Sequence, residues 1–249
     1  MRARRSTRME IEGKRVLISG AGRGLGRTLV GAFVAAGARE VFAGTRKQEA
    51  QDSLRQEFPE RVTPVQLDVT SERDIKAVAQ LGPIDILVNN AGVARFGNPL
   101  TMNLAEVESE LAVNYLGVLR LTRAVAPAMI AQRDGMIVNI ATAFAKVNLP
   151  LVGTYCATKA ALLSLGQALR AYLADDGVRV ITVMPTTFDS DMSRGADVPK
   201  MTKEFVAGQV LAAIREEQHD PPIGDEAKGV LEGLRNDPLA LEKRLMNYR

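Results

Sequence analysis

Short apolar runs alternate with helical stretches along most of this chain of 249 residues. Most runs, such as 15–19, end in glycine or polar residues, which is typical of a buried parallel strand. Strands are predicted at 15–19, 41–43, 62–67, 84–88, 136–140 and 178–184, and helices at 24–36, 47–58, 104–132, 155–175 and 202–217. This order predicts an α/β fold, in which right-handed crossovers build a doubly wound parallel sheet with helices on both faces.

The alternation continues to about residue 190 without a linker, an internal repeat or a low-complexity segment. Beyond it, a Pro/Gly break at 221–224 precedes a charged tail, 226–245, that is predicted to be helical. We therefore predict a single domain over 12–249. The preceding segment, 1–11, carries four arginines that account for much of the net charge of +3. We interpret it as a flexible terminal arm rather than a nucleic-acid contact.

Composition argues against several classes of protein. No apolar run reaches the roughly 18 residues that span a bilayer, and no apolar stretch follows the basic start as in a signal peptide. One cysteine, Cys156, cannot form an internal disulfide, and one histidine, His219, cannot supply a metal site. The remaining body is close to neutral and has no nucleic-acid recognition motif. We expect a cytoplasmic protein without metal, membrane or nucleic-acid partners.

A glycine-rich turn follows the first predicted strand. Gly20, Gly24 and Gly26 form the spacing G-x-x-x-G-x-G between that strand and the next helix. Without side chains, the backbone amides of such a turn can approach a pyrophosphate at the N-terminus of the helix. The alternative is a purely structural tight turn. The flanking strand and helix favour a dinucleotide site.

The end of the second strand bears on the choice of dinucleotide. An NAD site carries an acidic residue for the ribose 2′-hydroxyl about twenty residues after the glycines. This chain has Thr45 and Arg46 there instead, and Arg23 lies within the glycine turn. A single arginine at such a place is usually a solvated surface residue. Two guanidinium groups with no acid suit a 2′-phosphate, so the sequence predicts NADP rather than NAD.

Polar residues also follow the third and fourth strands. Asp68, followed by Val69, either caps the next helix or contacts the adenine. The segment 89–92, Asn-Asn-Ala-Gly, is either a plain turn or a brace between loops that lines the cofactor cleft. Asn114 lies within the long predicted helix, where its propensity is unfavourable. It is either a satisfied core residue or a functional one.

Tyr155 and Lys159 lie four residues apart at the start of a predicted helix, which places them on one face. A tyrosine hydroxyl, with a pKa of about 10, is a poor acid or base at neutral pH. A neighbouring cation favours the phenolate, so we expect Lys159 to lower the pKa of Tyr155.

Together these residues resemble the short-chain dehydrogenase/reductase family. Ser19 with the glycines, the segment 89–92, Asn114 and the pair Tyr155 and Lys159 match its motifs in order over about residues 12–192. The resemblance implies a Rossmann-like fold of about seven strands, a nicotinamide cofactor, and hydride transfer between carbonyl and alcohol. It also implies that Asn114 places a water molecule that links Lys159 to solvent.

Three positions depart from the family pattern. Thr142 stands where the family has its catalytic serine, and Ser190 stands where a threonine contacts the nicotinamide amide. Pro185 is followed by threonine rather than glycine. Hydroxyl groups remain at 142 and 190. The glycine-rich C-terminal segment of many tetrameric members is not recognisable, although a homo-oligomer, a dimer or a tetramer, is still expected.

The sequence predicts an NADPH-dependent reductase of small ketones or aldehydes, or the reverse alcohol dehydrogenase. The expected catalytic residues are Asn114, Thr142, Tyr155 and Lys159. The expected cofactor-binding residues are Ser19, Gly20, Arg23, Gly24, Leu25, Gly26, Thr45, Arg46, Asp68, Val69, Asn90, Ala91, Gly92, Tyr155, Lys159, Pro185, Phe188 and Ser190. An apolar or aromatic substrate is expected, against a wall of Phe96, Phe144 and Phe188 under a lid at 189–200. The alternative is a redox-sensing interaction module that binds the cofactor without catalysis.

Overall fold

The computed structural model describes residues 9–194 and 198–247, and within them seven parallel strands form one sheet. The order along the sheet is β3-β2-β1-β4-β5-β6-β7. The strands are β1 (Arg15–Ser19), β2 (Glu40–Thr45), β3 (Val62–Gln66), β4 (Ile86–Asn89), β5 (Gly135–Ile140), β6 (Val178–Pro185) and β7 (Pro222–Ile223). The strand order reverses between β1 and β4, which confirms the predicted doubly wound, Rossmann-like sheet.

Helices cover both faces of the sheet. They are α1 (Gly24–Ala35), α2 (Gln48–Glu57), α3 (Glu72–Val78), α4 (Leu104–Leu111), α5 (Val118–Gln132), α6 (Gly153–Leu173), α7 (Lys203–Glu216), α8 (Asp225–Asn236) and α9 (Pro238–Leu245). The long helix predicted at 104–132 is interrupted by a π-helical segment, Ala112–Gly117. The predicted helical tail forms α8 and α9.

Alternating side chains of each strand pack on opposite faces, as the two-residue period of a strand requires. Val16 and Ile18 join a core cluster with α1 and α7, whereas Leu17 packs into a second cluster with α3 and α5. A third cluster lies between the start of α6 and the C-terminal helices, where Leu241 packs near Cys156. The C-terminal helices α8 and α9 therefore pack against the start of α6.

The domain begins earlier than the sequence predicts. Met9 and Ile11 are 2% and 1% exposed and belong to the core cluster beneath α1 and α7. The backbone N–H of Met9 also donates a hydrogen bond to Glu217 Oε1 at 3.0 Å. The predicted arm, 1–11, is therefore wrong for residues 9–11, because their apolar side chains are buried by the domain. Its other residues, 1–8, lie outside the described part of the chain.

In the described ranges, no helix has the length and apolar character that crossing a membrane requires.

One close approach between a helix and the sheet predicts the effect of a substitution. A β-carbon at Gly166 in α6 would overlap Thr182 Oγ1 in β6. Gly166→Ala should lower the free energy of unfolding by about 1–3 kcal/mol, because a stiff β-branched side chain must move. Gly208→Ala is the matched control, since no described atom outside the surrounding backbone of α7 lies within 4 Å of the new β-carbon. It should stabilise α7 by up to about 1 kcal/mol. Urea unfolding measures both, and equal stabilisation by the two substitutions would contradict the overlap.

Candidate active site

Hydrogen bonds join the ends of β1 and β4, where the strand order reverses. Ser19 Oγ accepts from the backbone N–H groups of Asn90 and Ala91, each at 3.1 Å. Asn90 Nδ2 donates to the carbonyl oxygens of Ser19 at 2.9 Å and Gly20 at 3.2 Å. The predicted brace between the two loops is therefore present, and the plain-turn alternative is wrong.

The glycine turn combines close packing with open space. A β-carbon at Gly26 would lie 2.6 Å from Asn90 Nδ2, so only glycine lets α1 approach the loop after β4. Gly20 and Gly24 have φ values of +69° and +55°, which favour glycine. Around Gly24, no described atom lies within 4 Å of where a β-carbon would stand. The turn thus leaves room for a ligand at its tip, while the Leu25 side chain is buried in the core.

The N-terminus of α1 suits an anion. Among the described residues, no side chain caps this end, and its first turn contains no acidic residue. The first N–H groups of a helix have no partner within the helix and lie at the positive end of its dipole. These donors, beside the open space at Gly24, fit the pyrophosphate of a dinucleotide.

The two arginines predicted to select NADP are exposed and paired with carboxylates. Arg46 Nη1 lies 3.9 Å from Asp68 Oδ2, and Arg23 Nη1 lies 2.6 Å from Asp191 Oδ2. Their side chains are 64% and 81% exposed. Exposed ion pairs contribute little to stability, so either arginine can exchange its carboxylate for a phosphate at small cost. Thr45 is buried beneath this surface.

Asp68 does not cap the helix that follows it. Ser71 is the N-cap of α3, and its hydroxyl accepts from the N–H of Asp74 at 3.3 Å. Asp68 Oδ1 instead accepts from the N–H and the hydroxyl of Thr70, at 2.9 and 2.7 Å. The capping alternative is wrong, because the helix begins three residues later than that alternative requires. Val69 is buried against the π-helical segment.

Tyr155 and Lys159 occupy the first turns of α6, one turn apart. Lys159 is 4% exposed, its Nζ donates to the carbonyl oxygen of Ile140 at 2.8 Å, and it lies 5.7 Å from the centroid of the Tyr155 ring. Burial lowers the pKa of Lys159 to about 8. The pKa of Tyr155 is raised, first by burial and then by the nearby Cys156 and Glu110. The expected lowering of the Tyr155 pKa by Lys159 is therefore wrong, because burial disfavours the charged phenolate.

Asn114 lies in the π-helical segment, a geometry that is frequent at functional sites. Its Oδ1 accepts from the N–H of Val93 at 2.9 Å, and its Nδ2 donates to the carbonyl oxygen of Val93 at 2.8 Å and to Thr158 Oγ1 at 2.9 Å. A β-carbon on Gly92 would lie 3.4 Å from Asn114 Oδ1 and 3.5 Å from Lys159 Nζ. Asn114 is thus a satisfied core residue that also braces the loop next to Lys159.

Thr142 follows β5 and caps a short 3₁₀ turn, Ala143–Ala145. Its hydroxyl oxygen accepts from the N–H of Phe144 at 3.3 Å, and the residue is 5% exposed. Within the described residues, the Thr142 hydroxyl donates no hydrogen bond. Its proton is therefore available to an acceptor in the cleft.

The segment after β6 folds back on itself. Pro185, the last residue of β6, pairs with Ile223, and Phe188 bridges to Met201. The N–H of Ser190 donates to Ser193 Oγ at 3.1 Å. Residues 195–197 of the predicted lid lie outside the described ranges.

The three phenylalanines predicted to form one wall lie in different surroundings. Phe96 is 55% exposed, whereas Phe144 is 9% exposed and packs with α6 and α8. Phe188 packs against the core beneath α1 and α7. The structure does not bring the three side chains into one cluster.

Two features of the site were not predicted from the sequence. Glu110 in α4 is fully buried, with Oε1 accepting from the N–H of Arg95 at 2.5 Å. The side chains of α8 and α9 pack against the cluster that contains Tyr155 and Cys156. A glutamate in a helix is normally solvated, so only its four-residue spacing from Asn114 could have indicated that Glu110 faces inward.

The burial of Lys159 predicts a pH-dependent stability. Its pKa is about 8 when folded and about 10.4 when unfolded, so the unfolded state binds more protons and the free energy of unfolding rises with pH in this interval. From about pH 7 to about pH 9, the parent should gain about 1 kcal/mol relative to Lys159→Met. Urea unfolding of the cofactor-free proteins measures the difference. Lys228→Met removes a 65% exposed lysine and should behave as the parent does; the same pH dependence in Lys159→Met would contradict the prediction.

Comparisons with known proteins agree with this geometry. The family model for short-chain dehydrogenases matches residues 14–199. A short-chain dehydrogenase from Burkholderia cenocepacia J2315, solved in complex with NADP, has a TM-score of 0.90 and 37% identity, covering 96% of this chain and 99% of that one. A sorbitol dehydrogenase from Cereibacter sphaeroides is 36% identical over 195 residues, 76% of each chain. An L-xylulose reductase from Bos taurus is 36% identical over 190 residues, 76% of this chain and 77% of its own. The match to the family model spans most of the chain, and its range includes the glycine turn, Asn114, Tyr155 and Lys159. This protein therefore belongs to the short-chain dehydrogenase/reductase family of oxidoreductases that act on carbonyl or alcohol substrates.

Proposed function

We propose that the protein is an NADPH-dependent reductase of small ketones or aldehydes, which also runs in reverse as an alcohol dehydrogenase. The proposal is carried by three features that lie together at one edge of the sheet, namely the N-terminus of α1, the loop after β4 and the side chain of Lys159. The uncapped start of α1 lies beside the loop braced by Asn90, and that loop carries Gly92 to the Nζ of Lys159. This arrangement supports a cofactor and a proton donor that share one cleft.

The side chains have separate roles in the proposed reaction. When bound, the nicotinamide cofactor supplies the hydride. Tyr155 donates its hydroxyl proton to the oxygen that becomes the alcohol, and Thr142 holds that oxygen through its free hydroxyl proton. The raised pKa of Tyr155 suits a group that must start the reaction protonated. The Nζ of Lys159 donates to the ribose, either in place of or in addition to its hydrogen bond to the carbonyl oxygen of Ile140.

The choice of NADP rests on Arg23 and Arg46. Both guanidinium groups are exposed at the loops that follow β1 and β2, and each forms an ion pair with a carboxylate, that of Asp191 or of Asp68. A 2′-phosphate offers the same acceptor geometry with more charge. The NADP complex of the Burkholderia cenocepacia relative supports this choice.

An apolar substituent on the substrate is supported by a rim beside Tyr155. The N–H of Gly97 donates to the carbonyl oxygen of Leu151 at 3.0 Å, which places the 96–97 segment against the turn that leads into α6. Phe96 and Leu151 are 55% and 41% exposed there. Phe144 contributes less than expected because it is buried. The relatives named for sorbitol and L-xylulose make open-chain sugars a necessary part of any substrate panel. The expected dimer or tetramer stays a prediction.

Removing the proton donor tests the proposed reaction. Tyr155→Phe should reduce kcat by about three orders of magnitude or more while NADPH affinity changes only a few-fold, because only the hydroxyl is lost. NADPH oxidation with aromatic ketones, aldehydes and open-chain ketoses measures kcat, and fluorescence titration measures cofactor binding. Tyr172→Phe is the control, since Tyr172 is 85% exposed and should retain full activity. NADPH binding by the parent without turnover of any substrate would favour the redox-sensing module.

Removing the two arginines tests the cofactor. Arg23→Ala combined with Arg46→Ala should weaken NADPH binding far more than NADH binding, since each charge-assisted contact with phosphate contributes about 1.5–3 kcal/mol. Arg55→Ala provides a matched control, because Arg55 is 51% exposed and its Nη1 forms an ion pair with Asp52 Oδ1 at 2.8 Å. Arg55 lies in α2, away from the glycine turn. Equal weakening of both cofactors, or a parent that prefers NADH, would refute the proposed specificity.

A further inference from the structure

One ion pair joins the two halves of the sheet at the edge where the candidate site lies. Arg23 lies in the turn after β1, and Asp191 lies in the segment after β6. Arg23 Nη1 donates to Asp191 Oδ2 at 2.6 Å. In the sheet, β4 and β5 lie between β1 and β6, so this contact spans the crevice in which sheets of this kind bind their ligands.

The segment that carries Asp191 is held in place by its own contacts. The N–H of Asp189 donates to the carbonyl oxygen of Met201 at 2.9 Å, and Ser193 Oγ donates to the carbonyl oxygen of Phe188 at 2.7 Å. The Phe188 side chain packs against the core beneath α1 and α7. Because this backbone is already fixed, the ion pair immobilises little more than two side chains, which favours its formation.

A phosphate group has the chemistry to displace Asp191 from Arg23. It carries more negative charge than a carboxylate and offers three strong acceptor oxygens, whereas a ribose 2′-hydroxyl carries no charge. Arg194 Nη2 also donates to Asp191 Oδ1. The Asp191 carboxylate therefore keeps one guanidinium partner when Arg23 turns to a phosphate, and no unpaired charge is created.

The two arginines at the proposed phosphate site are not held equally. Arg46 Nη1 lies 3.9 Å from Asp68 Oδ2, beyond hydrogen-bond distance, whereas the contact between Arg23 and Asp191 is a charge-assisted hydrogen bond. The exchange of a carboxylate for a phosphate therefore costs more at Arg23 than at Arg46. Asp191 is the carboxylate with which a phosphate must compete.

We propose that Asp191 is a specificity-determining residue that competes with the 2′-phosphate of NADP(H) for Arg23 and so limits the preference of the protein for NADP(H) over NAD(H). This inference rests on the proposed binding of that phosphate by Arg23. NAD(H) leaves the ion pair intact, so Asp191 lowers the affinity for only one of the two cofactors. By thermodynamic linkage, the bound phosphate weakens the hold of Arg23 on the segment after β6 by the same factor.

The test removes the charge of Asp191 and measures binding alone. Asp191→Asn keeps the shape of the side chain, and Asp191→Ala also removes the oxygen that accepts from Arg23. Asp189→Asn is the matched control, because it removes the same charge two residues away, where Asp189 Oδ2 lies 3.7 Å from Lys203 Nζ. Each change is made in the parent and in Arg23→Ala, and fluorescence titration gives the Kd values of NADPH and NADH. This readout needs no turnover, so it does not depend on the proposed reaction.

We expect both Asp191 variants to bind NADPH about two- to fivefold more tightly than the parent, the range that an exposed ion pair supports, with NADH affinity unchanged. Asp189→Asn should behave as the parent does, and in Arg23→Ala the Asp191 substitutions should have no further effect. Unchanged NADPH affinity in the Asp191 variants, while Arg23→Ala still weakens NADPH selectively, would overturn this inference and leave the proposed NADP preference standing. Equal weakening of both cofactors by Arg23→Ala would overturn the two together.

Discussion

The hydrogen bonds between Ser19 and Asn90 hold together the two strand ends on which the site depends. β1 and β4 are neighbours in the sheet but are separated in the chain by three crossovers, through α1, α2 and α3, so their loops would otherwise be positioned independently. The Ser19 hydroxyl accepts from two amides of the second loop, and Asn90 returns two hydrogen bonds to the first. Because Gly26 has no side chain, α1 can approach this brace closely. The uncapped N-terminus of α1 and the loop that leads to Lys159 are thereby joined at one edge of the sheet.

Burial also shifts the pKa values of Tyr155 and Lys159. Tyr155 and Lys159 occupy consecutive turns, yet desolvation acts on them in opposite directions, raising the pKa of the phenol and lowering that of the amine. Both shifts favour the neutral form. A neutral tyrosine is a proton donor, which fits carbonyl reduction.

Local sequence signals predicted much of the fold because they are strong where the elements are regular. The apolar run of β1 was predicted at both of its ends, Arg15 and Ser19, and the glycine turn was placed correctly at the start of α1. Two of the failures have different causes, a partner distant in sequence in one case and a neighbouring residue in the other. The sequence predicts that Met9 belongs to a basic arm, but its side chain is buried in the core cluster with residues of α1 and α7. Asp68 has the chemistry of a helix cap, but Ser71 takes that role because α3 starts later.

The sequence by itself determined the alternation of β1 to β6 with most of the helices, the glycine turn and the four-residue spacing of Tyr155 and Lys159, because each depends on periodicity or on the conformational freedom of a few adjacent residues. Only the tertiary structure decided which of these groups are desolvated and what they contact. It turned Asn114 into a brace on Val93, spread the three phenylalanines over different surroundings, and buried Glu110 against the backbone of Arg95. Protonation and contact depend on atoms brought together from distant parts of the chain, and packing alone sets those distances.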